Sequence, residues 1–154
     1  MNPAARASRA AGIRRVRLLV TLLALLEASC RAGAAPLPPA PAVVEITMRE
    51  YAYEYERPIP RGRVVFRVRN EGSLQHELVL IIIPEGVPPL DQQLRGSERR
   101  VVSTFVSMPP RAPGGTGTFA VDLEPQRYGL VCFVTDPDGQ QHALKGMSSE
   151  FRVT

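Results

Sequence analysis

Arg63-Val64-Val65-Phe66-Arg67-Val68-Arg69-Asn70-Glu71-Gly72-Ser73-Leu74-Gln75-His76 is the stretch on which the fold turns. Val64, Phe66 and Val68 alternate with Arg63, Arg67 and Arg69. A period of two marks a strand with one buried face, because successive side chains point to opposite sides. The alternation stops at Asn70, and Gly72 breaks the chain. A longer apolar strand then runs from Leu74 to Ile83 and ends at Pro84. Leu74, His76, Leu78, Leu80 and Ile82 share one of its faces, so His76 is expected to point into the core. Glu71 and Glu77 fall on the opposite side, toward solvent.

The same pattern extends outward in both directions. Val44, Ile46 and Met48 alternate with Glu45, Thr47 and Arg49. Val101–Val106, Thr116–Val121, Arg127–Thr135 and Glu150–Val153 read as four further strands. Pro58, Pro60, Gly62, Pro88, Pro109, Pro110 and Pro113 punctuate the gaps. Pro89–Leu94 reads as a single helical turn in the longest connection. Tyr51, Tyr53 and Tyr55 read as one face of a strand or bulge. Short strands with frequent breakers and almost no amphipathic helix predict an all-β sandwich.

The N-terminus reads differently. Arg6, Arg9, Arg14, Arg15 and Arg17 precede the apolar run Leu18–Leu26, and Ala32-Gly33-Ala34 supplies small residues for cleavage. Residues 1–34 have the layout of a secretory signal peptide, and an apolar run of nine residues is too short to span a bilayer. Leu26-Glu27-Ala28-Ser29-Cys30 also resembles a lipoprotein signal ending before Cys30, with Glu27 in place of the usual aliphatic residue. Cys30 is then either discarded with the signal or kept as a lipid anchor. Residues 35–42 form a Pro-rich, semi-rigid spacer, and residues 43–154 form one domain. The expected location is the periplasm or another extracytoplasmic space, with no transmembrane helix in the mature chain.

The whole chain carries a net charge of +4, but residues 36–154 hold 13 basic and 14 acidic residues. The basic character therefore belongs to the export signal and gives no support to nucleic-acid binding. Past the signal the chain has one cysteine, so no internal disulfide is available in an oxidising compartment.

Cys132, His142 and Met147 fall within sixteen residues, and His76 and His142 are the two histidines of the chain. Cys132 shares a strand face with Tyr128, Leu130 and Val134, in phase with the core. One thiolate, two imidazoles and a thioether are the donors of a blue-copper centre. Taken singly, each residue has a structural alternative: a buried thiol, a core histidine, a loop histidine, a core methionine. Taken together, they form one complete donor set. A structural zinc site has no use for the thioether. The chain has no nucleophile elbow, phosphate loop or HExxH motif, and Cys132 lacks the helix N-terminus expected of a thiol nucleophile.

Four features resemble the cupredoxins, the plastocyanin and azurin family. They are Asn70-x-Gly72-x-x-x-His76; Asp122-Leu123-Glu124-Pro125-x-x-Tyr128-x-x-x-Cys132; His142; and Gly146-Met147 before the last strand. The resemblance covers residues 43–154 and implies a cupredoxin-like Greek-key β-sandwich. It implies one copper per chain, with His76, Cys132 and His142 as equatorial ligands and Met147 as the axial one. It also implies a non-enzymatic, monomeric carrier of single electrons between transient redox protein partners. A periplasmic copper-binding or delivery protein and a metal-free interaction module are the alternatives.

Two departures bear on the site. Nine residues separate Cys132 from His142, more than in the best-known members, and they contain the turn Asp136-Pro137-Asp138-Gly139. The residue after the first histidine, often an Asn that steadies the cysteine loop, is Glu77. Electrons are expected to pass through the exposed edge of His142, rimmed by Pro137, Ala143 and Leu144.

Overall fold

Val44, Ile46 and Met48 turn inward from β1 (Ala42–Arg49), which pairs with the short β2 (Ala52–Glu54) on one side. On its other side β3 (Gly62–Asn70) runs parallel to β1, with Val44 opposite Phe66 and Ile46 opposite Val68. β4 (His76–Ile83) and β5 (Ser103–Arg111) follow, then β6 (Thr116–Leu123), β7 (Arg127–Val131) and β8 (Ser148–Arg152). The computed structural model describes residues 39–96 and 103–154. The signal-like segment, Cys30, the first half of the Pro-rich spacer, and Val101 and Val102 of the expected fifth strand lie outside the described residues.

The strands form two four-stranded sheets, ordered β2-β1-β3-β6 and β5-β4-β7-β8. The chain changes sheet between β3 and β4, between β5 and β6, and between β6 and β7. Phe66 stacks on Phe119 at 5.2 Å and Tyr128 on Phe151 at 5.4 Å inside the sandwich. The Tyr128 hydroxyl accepts from the Glu124 N–H at 3.0 Å and lies 3.2 Å from its carbonyl, which pins the β6–β7 corner. The arginines that alternate along β3 face outward, where Arg63 meets Asp122 and Arg67 meets Glu45. Exposed pairs of this kind add little stability.

Several boundaries differ from the expectation. β4 begins at His76, not Leu74, and is buried on both faces because α1 (Leu90–Arg95) covers its second side through Leu90. β5 runs through Pro109 and Pro110. It is an edge strand, and its register against β4 shifts between His76 and Leu78, a bulge that tolerates prolines. β7 stops at Val131, so Cys132 follows the strand instead of lying within it. β2 covers only Ala52–Glu54, but the tyrosine series keeps one face, with Tyr53 in the core and Tyr51 and Tyr55 packed against it from either side. A 3₁₀ turn at His142–Lys145 was not foreseen. Among the described residues, no helix is long and apolar enough to cross a membrane.

Candidate metal centre

His76 is delivered by a tightly bonded loop. Asn70, at the end of β3, is fully buried. Its amide donates to the carbonyls of Leu74 at 2.8 Å and Arg111 at 2.7 Å, and its Oδ1 accepts the Gly72 N–H at 2.9 Å. Glu50 Oε1 accepts the N–H groups of Ser73 at 2.5 Å and Leu74 at 2.8 Å. A Cβ at position 72 would lie 2.5 Å from that oxygen, so any side chain there would displace the Glu50 carboxylate from the loop. Burial pushes the Glu50 carboxyl up, but the N–H groups of Leu74, Glu50 and Ser73 outweigh it and hold it at about 2. The loop closes with His76 at the first residue of β4, without solvent exposure.

Cys132 and His142 are brought together by the segment between them. The His142 N–H donates to Val134 O at 2.8 Å and the Ala143 N–H to Cys132 O at 2.9 Å. Thr135 bridges Gln141, and the tip turns at Asp136–Gln140 with Gly139 at φ +81°. The nine-residue insert is thus a miniature hairpin that returns His142 beside Cys132. After the 3₁₀ turn, Gly146 takes φ +119°, a left-handed cap that reverses the chain into Met147. The Met147 N–H bonds His142 O at 2.9 Å and its carbonyl accepts from the Cys132 N–H at 3.2 Å. Met147 is fully buried.

His76 Nδ1 lies 3.0 Å from His142 Nδ1, and Cys132 Sγ lies 3.5 Å from the same nitrogen. The three donor atoms fall within 4.8 Å of one another. Two ring nitrogens facing at this distance require a proton or a cation between them. Separations of this size are also what pairs of bonds of about 2 Å to a common ion span. The donor set therefore fits a metal ion. Burial and the neighbouring His142 push the His76 pKa down, which favours the neutral, ligating form. Burial pushes the Cys132 thiol up against the opposing N–H groups of Glu77 and Val134, so its proton is held until a cation displaces it.

Glu77 does not simply face solvent. It is half-buried, and its Oε1 accepts the Phe133 N–H at 2.9 Å while its own N–H points at Cys132 Sγ at 3.5 Å. A carboxylate thus clasps the cysteine segment at the position where an Asn was expected to be needed.

The expected exposed edge of His142 is closed. Only 1% of the residue is accessible, and Nε2 meets Asp136 Oδ1 at 2.8 Å. Asp136 Oδ2 is held by the Tyr51 hydroxyl at 2.6 Å and by Lys145 Nζ at 2.5 Å. Lys145 and Tyr51 hold the Asp136 carboxyl far below the usual range. Of the expected rim, Ala143 is buried, while Pro137 and Leu144 are exposed. Glu50, Tyr51, Asp136 and Lys145 were missed as site residues. Asp136 was read only as a turn former, and Tyr51 lies 85 positions from it.

The architecture has solved counterparts. Auracyanin from Roseiflexus castenholzii superposes with a TM-score of 0.51 at 22% identity, covering 75% of this chain and 99% of its own. Auracyanin A, a blue copper protein of Chloroflexus aurantiacus, gives 0.50 at 16% identity, covering 75% of this chain and 100% of its own. Rusticyanin from Thiobacillus ferrooxidans gives 0.50 at 18% identity, covering 75% and 79%. The fold is that of the cupredoxins. Identities this low speak to the cupredoxin fold alone. No protein-family model and no curated protein matches the sequence.

Proposed function

We propose that residues 43–154 form a type 1 copper protein that carries single electrons between redox partners outside the cytoplasm. The observation that carries this reading is the convergence of His76 Nδ1, Cys132 Sγ and His142 Nδ1 within 4.8 Å, all buried. On this reading those three atoms are the equatorial ligands of one copper ion, and the buried Met147 supplies the weak axial sulfur. Bound copper supplies a one-electron Cu(II)/Cu(I) couple. The chain contributes a donor set fixed by two hydrogen-bonded loops, so its geometry changes little between oxidation states. Four protein donors leave no open position for a substrate, which favours a carrier over an enzyme. The donors' burial favours electron transfer over metal delivery, since a cargo site needs access for exchange. The signal-like residues 1–34 support export, and Cys30 offers a point for lipid anchoring. Transient redox partners need only a small interface, and the carrier is taken as a monomer.

The test is the visible spectrum of the purified chain with added Cu(II). An intense blue thiolate-to-copper band is expected, absent in Cys132→Ser. Met147→Leu should keep the band and raise the potential. A wild-type protein that takes up Cu(II) and stays colourless would sink the reading.

A further inference from the structure

The hairpin between Cys132 and His142 does more than return a ligand. Its tip sets a carboxylate against the far side of the His142 ring. Asp136 Oδ1 lies 2.8 Å from Nε2, while Nδ1 faces His76 and Cys132. The carboxylate cannot swing away. Its second oxygen is bonded by the Tyr51 hydroxyl at 2.6 Å and by Lys145 at 2.5 Å, and Lys145 is itself tied to Asp138 at 2.6 Å. The Tyr51 ring packs edge-on against the imidazole at 5.0 Å. The other histidine has no such partner: His76 Nε2 is buried, makes no hydrogen bond, and lies 3.5 Å from Glu50.

We propose that Asp136 is a positioning residue for His142, fixing the Nε2–H tautomer so that the Nδ1 lone pair faces the metal pocket, and biasing a bound copper ion toward Cu(II). The inference rests on the copper reading for its second half only. Nε2–H donates to the carboxylate, so Nδ1 is left as the acceptor in the metal-free protein. The proton between the two rings then sits on His76 Nδ1, which agrees with His76 Nε2 having no partner. An acceptor behind a ligating imidazole raises its basicity and orients the ring, and loss of such a partner costs 10–100-fold in metal affinity. A fixed negative charge favours the more highly charged ion. Lys145 offsets part of that charge, which places the effect at the lower end of the range.

The experiment compares the full chain with Asp136→Asn, which keeps an acceptor oxygen but removes the charge, and Asp136→Ala, which removes both. In the metal-free proteins, ¹⁵N spectra of the ring nitrogens report each tautomer. The expected result is an Nε2–H His142 with an Nδ1–H His76 in the wild type and in Asp136→Asn, and a loss of the Nε2–H His142 in Asp136→Ala that moves His76 toward Nε2–H with it, because one proton serves the facing Nδ1 atoms. In the copper-loaded proteins, Asp136→Asn should shift the Cu(II)/Cu(I) preference about tenfold toward Cu(I), a rise of about 59 mV for one electron. A wild-type His142 protonated at Nδ1, or a potential identical in all three proteins, would overturn the proposal. A wild type that stays colourless with Cu(II) defeats the copper reading, and the metal-free tautomers still decide the role of Asp136. If Asp136→Ala does not fold, Asp136→Asn carries the potential and the wild type carries the tautomer.

Discussion

The two histidines of the site are held in opposite ways. His76 is placed by backbone: Asn70 and Glu50 bond the loop that precedes it, and nothing bonds its own far nitrogen. His142 is placed by side chains: Asp136 and the Tyr51 ring contact the imidazole, and Lys145 and the Tyr51 hydroxyl hold Asp136 in place. Both sides use a carboxylate. Glu50 gives its oxygen to N–H groups and fixes a loop, whereas Asp136 gives one directly to the imidazole. The first arrangement ties the site to fold stability. The second lets the ligand be tuned with little cost to the fold. Mutations on the two sides should therefore separate stability from redox properties.

Asn70→Ala should give the largest loss of stability. It leaves two carbonyls and one N–H without partners in a buried position, which costs about 3 kcal/mol. Urea unfolding of the metal-free protein measures it, and a loss below about 1 kcal/mol would break the contrast.

Glu50→Ala should cost less, about 1 kcal/mol, because the Glu50 side chain is 31% exposed and water replaces part of what is lost. His142 should keep its tautomer in this variant. A changed His142 ring spectrum would show that the two supports are coupled.

Lys145→Met sharpens the other half. It should lower the melting temperature of the metal-free protein modestly, since Asp136 is only 8% exposed and keeps the Tyr51 hydroxyl and His142 as its remaining partners. It exposes the full charge of Asp136 to the metal pocket, so the potential should fall, opposite in sign to Asp136→Asn. A rise on voltammetry would contradict the electrostatic account.

The smallest effect is a control remote from both histidines. Glu150 accepts from Arg127 at 2.7 Å and from the Leu90 N–H at 3.0 Å, tying β8 to β7 and α1. Burial pushes its carboxyl up, but Arg127 and that N–H win and hold it below the usual range. A carboxyl lowered in the folded state stabilises fully above its unfolded value of about 4.3 and loses that contribution as the pH falls below it. Glu150→Gln should therefore flatten the loss of stability below about pH 4 without moving the potential. An unchanged acid limb in chemical unfolding would remove Glu150 from the account.

By itself, the sequence determined the strands and singled out the candidate donors. The alternation in Arg63–Arg69 and in Val44–Arg49 records burial on one face, a local consequence of the pleat. The order Asn70, His76, Cys132, His142, Met147 carried the donor set because those residue types are scarce in this chain. Even the turn at Asp136–Gly139 was legible, because Asp, Pro and Gly set turn geometry over neighbouring residues. Tertiary structure alone decided what those donors touch. The closing of the His142 edge depends on Tyr51, which belongs to the β1–β2 turn, and on Lys145 across the hairpin. The clasp of Glu77 on Phe133 spans 56 positions, and periodicity could only place Glu77 on the outward face. β7 ends before Cys132 because the backbone there bonds to Met147 and Ala143 rather than to a neighbouring strand. Hydrophobic periodicity reports which face of a strand is buried. It carries no information on which distant carboxylate arrives behind a ring, and that placement separates a histidine fixed by its loop from one held by its neighbours.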